Sequence, residues 1–287
     1  VIVAGGMESM SNAPYFIPNA RWGVRMGDAP IKDLMIHDGL SCSFTGVHMG
    51  TFGNSTAEEL NISREEQDQW AYRSHQLAIK AIEAGRLADE IVAVEVPQRK
   101  GNPLLVKHDE SPRKDTTIEK LATLKPAFGK EGTITAGNAP SVNDGAGALV
   151  LMSEKRALHE GVQPIAYIVG HAEIAIEAKD FPKTPGLVIQ KILEKTGKNL
   201  NEIDLFEVNE AFAAVALASN IIAGIDPDKV NVNGGAVALG HPIGASGARN
   251  ILTLMYELKR RGGGIGVAAI CSGGGQGDAI MIEVPKI

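Results

Sequence analysis

Hydrophobic and polar positions are most regular in the second half of the chain. From residue 163 onward, short apolar runs alternate with segments in which apolar residues recur at the helical period. The predicted strands are 165–170, 204–208, 230–232, 264–271 and 279–284, and the predicted helices are 185–196, 210–222 and 245–260. Strand–helix alternation with short connections predicts a mostly parallel sheet, closed by an antiparallel hairpin at the end.

The first half is less regular. Residues 1–4 form an apolar run, which predicts a buried strand followed by a turn at Gly5 and Gly6. Residues 146–152 are predicted to form a core strand that pairs with this opening strand. The segment between these strands is rich in proline and glycine up to residue 56, and it is too long for a plain connection. We therefore expect it to serve function or assembly.

One helix in this segment has a clear start signal. Ser63 and Glu66 have the spacing of a capping box, and the apolar pattern that follows predicts a helix ending near Gly85. A strand is predicted over 91–96, and 98–117 is predicted to be a polar, basic loop.

Composition narrows the classes of function. The chain has 287 residues, 44% of them hydrophobic, which is enough for a sizeable core. A net charge of −6 argues against nucleic-acid or anionic-membrane partners, which require clustered Lys and Arg. Two cysteines without a CxxC motif or a Cys/His cluster argue against disulfides and a metal site and favour a cytoplasmic location. No run of apolar residues is long enough to span a membrane.

The stretch 234–247, GGAVALGHPIGASG, places His241 between glycines and a proline, at a predicted strand-to-helix crossover. Repeated glycines let a backbone turn tightly or approach a ligand closely. The sequence spells neither GxGxxG nor GxxxxGK[ST], so dinucleotide and P-loop interpretations are weak. Considered alone, His241 is equally compatible with a histidine that only bonds its own loop.

Two further motifs give His241 companions. Asn209 begins NEAF after the predicted strand 204–208, and Cys271 begins CSGGGQGDA at the end of another strand. Ligands of parallel sheets gather at the carboxyl ends of strands. We therefore expect the side chains of Asn209, His241 and Cys271 to converge on one point.

These motifs, with GGMESMS at 5–11 and HMG at 48–50, resemble the thiolases, and among them the acetyl-CoA acetyltransferases. The resemblance covers the whole chain in order. It implies an α/β thiolase fold with αβαβα layers, built from two βαβαβαββ halves, the first incomplete here, and an inserted loop domain. By this match, 1–12 and 139–162 belong to the N-terminal half, 13–138 to the loop domain and 163–287 to the C-terminal half.

The resemblance also implies a reaction. Thiolases condense two acetyl-CoA molecules to acetoacetyl-CoA and CoA, or run the reverse thiolysis, through an acyl-cysteine. Cys271 matches the acid–base cysteine, and His241 matches the histidine that faces the thioester oxygen. Asn209 matches the residue that holds a water in the same oxyanion hole, and the N–H of Gly273 matches a donor of the other hole. A structural role is preferred for Glu210 over a base paired with His241.

For the CoA thioester substrates, the match assigns His48, Met49 and Phe128 to the pantetheine channel. Phe212 is assigned to the acyl pocket and Arg113 to the adenine and phosphates. Pro140 occupies the place of a serine that touches CoA in many thiolases. Ser141, the next residue, is the predicted substitute. No metal and no cofactor other than these substrates is expected.

The resemblance places the nucleophilic cysteine upstream of GGMESMS, so the first residues of the fold are expected to precede Val1. Cys42 follows that motif and is predicted to be a bystander, so this chain by itself is predicted to be inactive. The resemblance further implies a homotetramer, a dimer of dimers, in fatty acid metabolism.

Two alternatives stay open: a degradative 3-ketoacyl-CoA thiolase of broad chain length, and a non-catalytic acyl-CoA-binding fragment. Ketoacyl synthases use two histidines, and Asn209 stands where one of them would be. The direction of the reaction and the chain-length range are left undetermined.

Overall fold

The computed structural model describes residues 1–286. The strands are β1 (Ile2–Ser9), β2 (Tyr15–Phe16), β3 (Lys32–Asp33), β4 (Val94–Val96), β5 (Leu104–Val106), β6 (Asp144–Leu151), β7 (Tyr167–Ala175), β8 (Leu205–Val208), β9 (Gly264–Ser272) and β10 (Gln276–Val284). The α-helices are α1 (Met49–Glu59), α2 (Arg64–Glu83), α3 (Ile118–Ala122), α4 (Glu154–Glu160), α5 (Thr184–Thr196), α6 (Ala213–Ala223), α7 (Ala236–Leu239) and α8 (Ile243–Arg260).

The C-terminal part is built on a four-stranded sheet in the order β7-β10-β9-β8. Helices α5 and α6 cover one face, where the largest apolar cluster includes Phe206, Val267 and Met281. Helix α8 covers the other face, where Leu254 and Leu258 pack against the sheet. Helix α8 also contacts β1 and β6, so it forms a middle layer between two sheets. This layering agrees with the predicted fold class.

The sheet is not mostly parallel, as the sequence pattern predicted. Only the pairing of β8 with β9 is parallel, because the hairpin strand β10 inserts between β7 and β9 and runs antiparallel to both. The predicted strand 230–232 is also wrong. It is reduced to a single parallel bridge between Val230 and Phe206.

The opening strand pairs with β6 in antiparallel register, as predicted. The predicted turn at Gly5 and Gly6 is wrong, because β1 runs straight through both glycines. They are needed for close approach: a Cβ at Gly6 would collide with the carbonyl oxygen of Gly244 in α8. The strand is also exposed rather than buried, since α8 covers only one face of this two-stranded sheet.

Several local predictions are confirmed. Ser63 and Glu66 form a reciprocal capping box at the start of α2, and Gly85 follows the end of that helix at φ +68°. Helices α5 and α8 and the final hairpin also lie within three residues of their predicted bounds. The strand 91–96 is shorter, and its partner β5 lies inside the predicted loop 98–117. Within residues 1–286, no helix has the length and apolarity needed to cross a membrane.

Candidate active site

The structure brings Asn209 and His241 into contact at the C-terminal edge of the β8–β9 pair. Asn209 follows the last residue of β8, and its backbone N–H donates to Ala269 O on β9 at 2.9 Å. The side-chain Nδ2 of Asn209 lies 3.2 Å from Nε2 of His241. Cys271 lies two residues beyond Ala269 on the same strand, so β8 and β9 end at this site together.

His241 occupies a connection between α7 and α8 rather than the predicted strand-to-helix crossover. Gly240, with φ +101°, makes the turn before it, and a Cβ there would come within 2.6 Å of the Asn143 side chain. Asn143 Oδ1 accepts from the backbone N–H of His241 at 3.0 Å. Only glycine lets this turn close against Asn143. The hydrogen bond to Asn143 then fixes the backbone of His241 at its N–H group.

Both ring nitrogens of His241 have neighbours. Nε2 faces Asn209, and Nδ1 lies 2.6 Å from the Oγ of Ser246. Burial lowers the pKa of His241 to about 4, and the charge of Arg249 acts in the same direction. The imidazole is therefore neutral near pH 7, with one proton to place.

Cys271 is buried near the end of β9 and is flanked by the glycine-rich turn that connects to β10. Burial raises the pKa of its thiol to about 12. The resting group is therefore a thiol and not a thiolate at neutral pH. Gly273, the predicted backbone donor, lies in the turn immediately after β9.

The predicted pantetheine residues form a row of aromatic rings. His48 caps the start of α1, accepting from Gly50 N–H through Nδ1 at 3.0 Å, and its ring stacks on Phe128 with centroids 4.3 Å apart. Phe128 meets Phe212 edge to face at 5.9 Å. Phe212 belongs to the same apolar cluster as Cys271, and Met49 packs against that cluster. An aromatic path therefore connects His48 to the surroundings of Cys271.

Arg113 and Ser141 do not join this row. Both line a separate cavity of about 150 Å³. Asn143 connects the cavity to His241, because its Nδ2 donates to Ser111 Oγ at 3.0 Å and to Ser141 Oγ at 3.2 Å while its Oδ1 accepts from the backbone N–H of His241. Ala139 lines the cavity and also packs against the cluster around Cys271.

Sequence reasoning missed His75, which lines the same cavity from α2. Its Nδ1 accepts from the backbone N–H of Arg113 at 3.1 Å. Burial, helped by the charge of Arg113, lowers the pKa of His75 to about 4, so it serves as a neutral acceptor that anchors the Arg113 loop. The sequence signal is weak, because a lone histidine on the buried side of a helix carries no motif.

Glu210 follows Asn209 but faces away from His241. Its carboxylate accepts from Trp70 Nε1, Ser74 Oγ, Asn231 Nδ2 and Val237 N–H at 2.9 to 3.0 Å. These contacts join α2, α7 and the end of β8 and favour the structural role preferred for this residue.

Cys42 is buried in the same apolar cluster as Cys271. Its predicted role as a bystander stays a prediction. Within residues 1–286, no three His, Cys, Asp or Glu residues are grouped so that they could hold a metal ion.

Two sequence models of known families match this chain. A sequence model described as "Thiolase, N-terminal domain" matches residues 1–155, and one described as "Thiolase, C-terminal domain" matches residues 162–284. The chain belongs to the thiolase family. The predicted fold class is confirmed with it.

Individual thiolases align along nearly the whole chain. An acetyl-CoA acetyltransferase of Pseudomonas aeruginosa is 51% identical over 98% of this chain and 72% of its own length. A probable acetyl-CoA acyltransferase of Staphylococcus epidermidis is 48% identical over 99% of this chain and 72% of its own length. The crystal structure of the Bacillus anthracis acetyl-CoA acetyltransferase superposes with a TM-score of 0.95 at 46% identity, covering 99% of this chain and 71% of that one.

Proposed function

We infer that this thiolase is an acetyl-CoA C-acetyltransferase. It condenses two acetyl-CoA molecules to acetoacetyl-CoA and CoA, or catalyses the reverse thiolysis, by ping-pong chemistry through an acyl-cysteine. The observation that carries this proposal is the contact between Asn209 and His241 at the strand end beside Cys271. The names and identities of the aligned relatives support the same assignment.

Cys271 is proposed as the acid–base residue. Because its pKa is raised to about 12, it starts as a thiol and first gives its proton to the departing CoA thiolate. The resulting Cys271 thiolate then removes a proton from the methyl group of the second acetyl-CoA. Each condensation therefore returns Cys271 to its starting state. The acyl group itself requires another cysteine as nucleophile, which the resemblance places upstream of GGMESMS.

His241 and Asn209 are proposed to stabilise the enolate that forms when this proton leaves. Enolate charge concentrates on the former thioester oxygen, and neutral donors fixed in a dry pocket stabilise it without reorganising. His241 supplies a neutral N–H because its pKa is lowered to about 4, and Asn209 holds a water beside it. The N–H of Gly273 is proposed as a donor of the second oxyanion hole.

The CoA portion of the substrate is proposed to bind along two regions of the protein. The ring row of His48, Phe128 and Phe212, with Met49 beside it, has the apolar character that a slender pantetheine arm requires. Arg113 and Ser141, on the cavity next to it, are proposed to contact the adenine and phosphates, because Arg113 supplies positive charge there.

Deuterium exchange tests the proton abstraction separately from the acyl-cysteine step, because it uses the small fraction of Cys271 that is thiolate at equilibrium. The wild-type chain in D2O is expected to replace the methyl protons of acetyl-CoA with deuterium, measured by NMR, faster than buffer alone. His241→Asn is expected to slow this exchange about 10² to 10³-fold, as loss of one oxyanion donor does. Exchange at the buffer rate in the wild type would reject the proposed proton abstraction.

A broader 3-ketoacyl-CoA thiolase is the second candidate, favoured by the acyltransferase name of one aligned relative. Against it stands the crowding near Phe212: a Cβ at Gly53 would lie 2.5 Å from Ile134 and 3.3 Å from Phe212. Thiolysis rates on acetoacetyl-CoA and on longer 3-ketoacyl-CoA substrates, measured with a protein that includes the proposed upstream cysteine, separate the two, because the short-chain enzyme should lose the long substrates.

We further propose a cytoplasmic homotetramer, a dimer of dimers, that acts in fatty acid metabolism. The proposed loop domain, 13–138, exposes large apolar residues, among them Trp22 at 82% and Ile31 at 66%, which an assembly would cover. The remaining proposed boundaries are 1–12 with 139–162 and 163–287. Sedimentation equilibrium checks the assembly, and a monomer at micromolar concentration would contradict it.

A further inference from the structure

The side chain of Ser246 has two possible acceptors for its single hydroxyl proton. It is fully buried in the first turn of α8, with its Oγ 2.6 Å from Nδ1 of His241 and 2.9 Å from the carbonyl oxygen of Pro242. Which acceptor takes the proton decides which nitrogen of His241 carries its own.

The Pro242 carbonyl is already occupied. Its oxygen accepts from the backbone N–H of Ala245 at 2.9 Å and of Ser246 at 3.0 Å. A carbonyl oxygen has two lone pairs, so both are used by the backbone of the helix start. The Ser246 hydroxyl therefore donates along the shorter contact, to Nδ1 of His241, and the neutral imidazole carries its proton on Nε2.

The side chain of Asn209 adds an independent observation. With its NH2 group facing Nε2, its buried Oδ1 has no hydrogen-bond partner. The O and N of a carboxamide are assigned from the hydrogen-bond network. If Nε2 is protonated, the amide turns its oxygen toward His241, and its NH2 group becomes a second donor at the position now given to Oδ1.

We propose that Ser246 is a positioning residue for the thiolase reaction: its hydroxyl donates to Nδ1 of His241 and keeps the imidazole proton on Nε2, facing the thioester oxygen. This role rests on the proposed function of His241. It explains how one buried serine sets both the N–H of His241, which faces the thioester oxygen, and the NH2 group of Asn209, which is left to hold the water beside it. Without the hydroxyl, the proton is free to move to Nδ1 and both donors turn away.

Nitrogen-15 NMR of the histidine-labelled chain tests the tautomer directly, with His241 assigned by the signal lost in His241→Asn. The wild type is expected to show Nε2–H, and Nδ1–H in the wild type would overturn the proposal without any variant. Ser246→Ala is expected to move protonation toward Nδ1, and Ser246→Thr to restore Nε2–H. An unchanged tautomer in folded Ser246→Ala would also overturn it.

Ser219→Ala is the matched control, because Ser219 is equally buried in α6 and bonds the Val215 carbonyl at 2.7 Å. It is expected to leave the His241 tautomer unchanged. In the deuterium-exchange assay, Ser246→Ala is expected to lose about tenfold or more at saturating acetyl-CoA, the size of effect known for partners that orient metal-bound histidines. If the tautomer shifts as expected while the wild type exchanges nothing, the proposed function fails and the role of Ser246 in setting the tautomer stands.

Discussion

Asn209 and Glu210 are neighbours in sequence and are both fully buried, yet their surroundings differ completely. The Glu210 carboxylate accepts four hydrogen bonds, which hold α2 and α7 to the end of β8. Asn209 makes one side-chain contact, to His241, and its Oδ1 has no partner. The protein itself satisfies the hydrogen-bonding capacity of Glu210. The side chain of Asn209 still has an acceptor that no protein group uses.

This difference separates the scaffold from the proposed reactive site. Buried polar groups are normally paired, because leaving one unpaired costs about 1 to 3 kcal/mol. The Glu210 network follows this rule and fixes the geometry. The neighbouring site departs from it at Asn209 and keeps an uncharged thiol at Cys271, so its groups are poised for a ligand that brings its own polar atoms.

The largest expected effect is on the exchange rate, when the proposed acid–base group is removed. Cys271→Ala should lower the rate of acetyl-CoA methyl exchange by about 10² to 10⁴-fold, the usual contribution of a positioned acid–base residue. Thermal unfolding should change little, because an alanine fills most of the space of this small buried side chain. Exchange kinetics and calorimetry on the same sample measure both quantities.

Cys42→Ala is the matched control, since Cys42 is buried in the same apolar cluster. It should retain the wild-type exchange rate. Equal losses in the two variants would mean that the cluster as a whole, rather than Cys271, supports the chemistry.

The next largest effect is a loss of stability, expected when the hydrogen bonds of the Glu210 scaffold are weakened. Glu210→Gln replaces one carboxylate oxygen with an NH2 group, so two of the four donors lose their acceptor. We expect a loss of about 3 to 6 kcal/mol in the free energy of unfolding, from two charge-assisted bonds at about 1.5 to 3 kcal/mol each. Urea denaturation measures it.

Asn209→Ala is the partner experiment at the adjacent position. It should change the free energy of unfolding by less than about 1 kcal/mol, because the protein satisfies little of this side chain, but should slow exchange about 10²-fold. If Asn209→Ala destabilised the protein as much as Glu210→Gln does, the contrast between the two residues would be wrong.

The smallest expected effect, taken per pH unit, is the pH dependence of exchange in the wild type. The thiolate fraction of Cys271 rises with pH as long as the pH lies below its pKa, which burial raises to about 12. The rate should therefore rise about tenfold per pH unit between pH 7 and 9. The neutral state of His241 does not change in this window, because its pKa is lowered to about 4. A plateau near pH 7 would indicate a different base.

Elements that have a local sequence signal were predicted well. The capping box of α2, the long amphipathic α8 and the final hairpin each have a motif or a period. The turn at Gly5 and Gly6 was wrong because glycine also permits close packing between a strand and α8, which depends on tertiary contacts. The prediction of a mostly parallel sheet was wrong because the alternation of strands and helices along the chain does not determine the order of the strands in the sheet.

The residues of the site also divide into those with a local sequence signal and those that depend on tertiary contacts. The contact between Asn209 and His241 could be predicted because both residues belong to motifs and Asn209 follows the end of a strand, although His241 itself lies between two helices. Asn143 was not singled out because its contacts to His241 and Ser111 span 98 and 32 residues. Ser246 lies only five residues after His241, but its importance depends on the Pro242 carbonyl being filled, which only the hydrogen-bond geometry reveals.

A crystal structure of the chain with acetyl-CoA tests the central claim most directly. The account predicts the thioester oxygen within hydrogen-bond distance of Nε2 of His241, the acetyl methyl group facing the Sγ of Cys271, and the pantetheine arm along Phe128. An acetyl group bound away from His241 and Cys271 would contradict it.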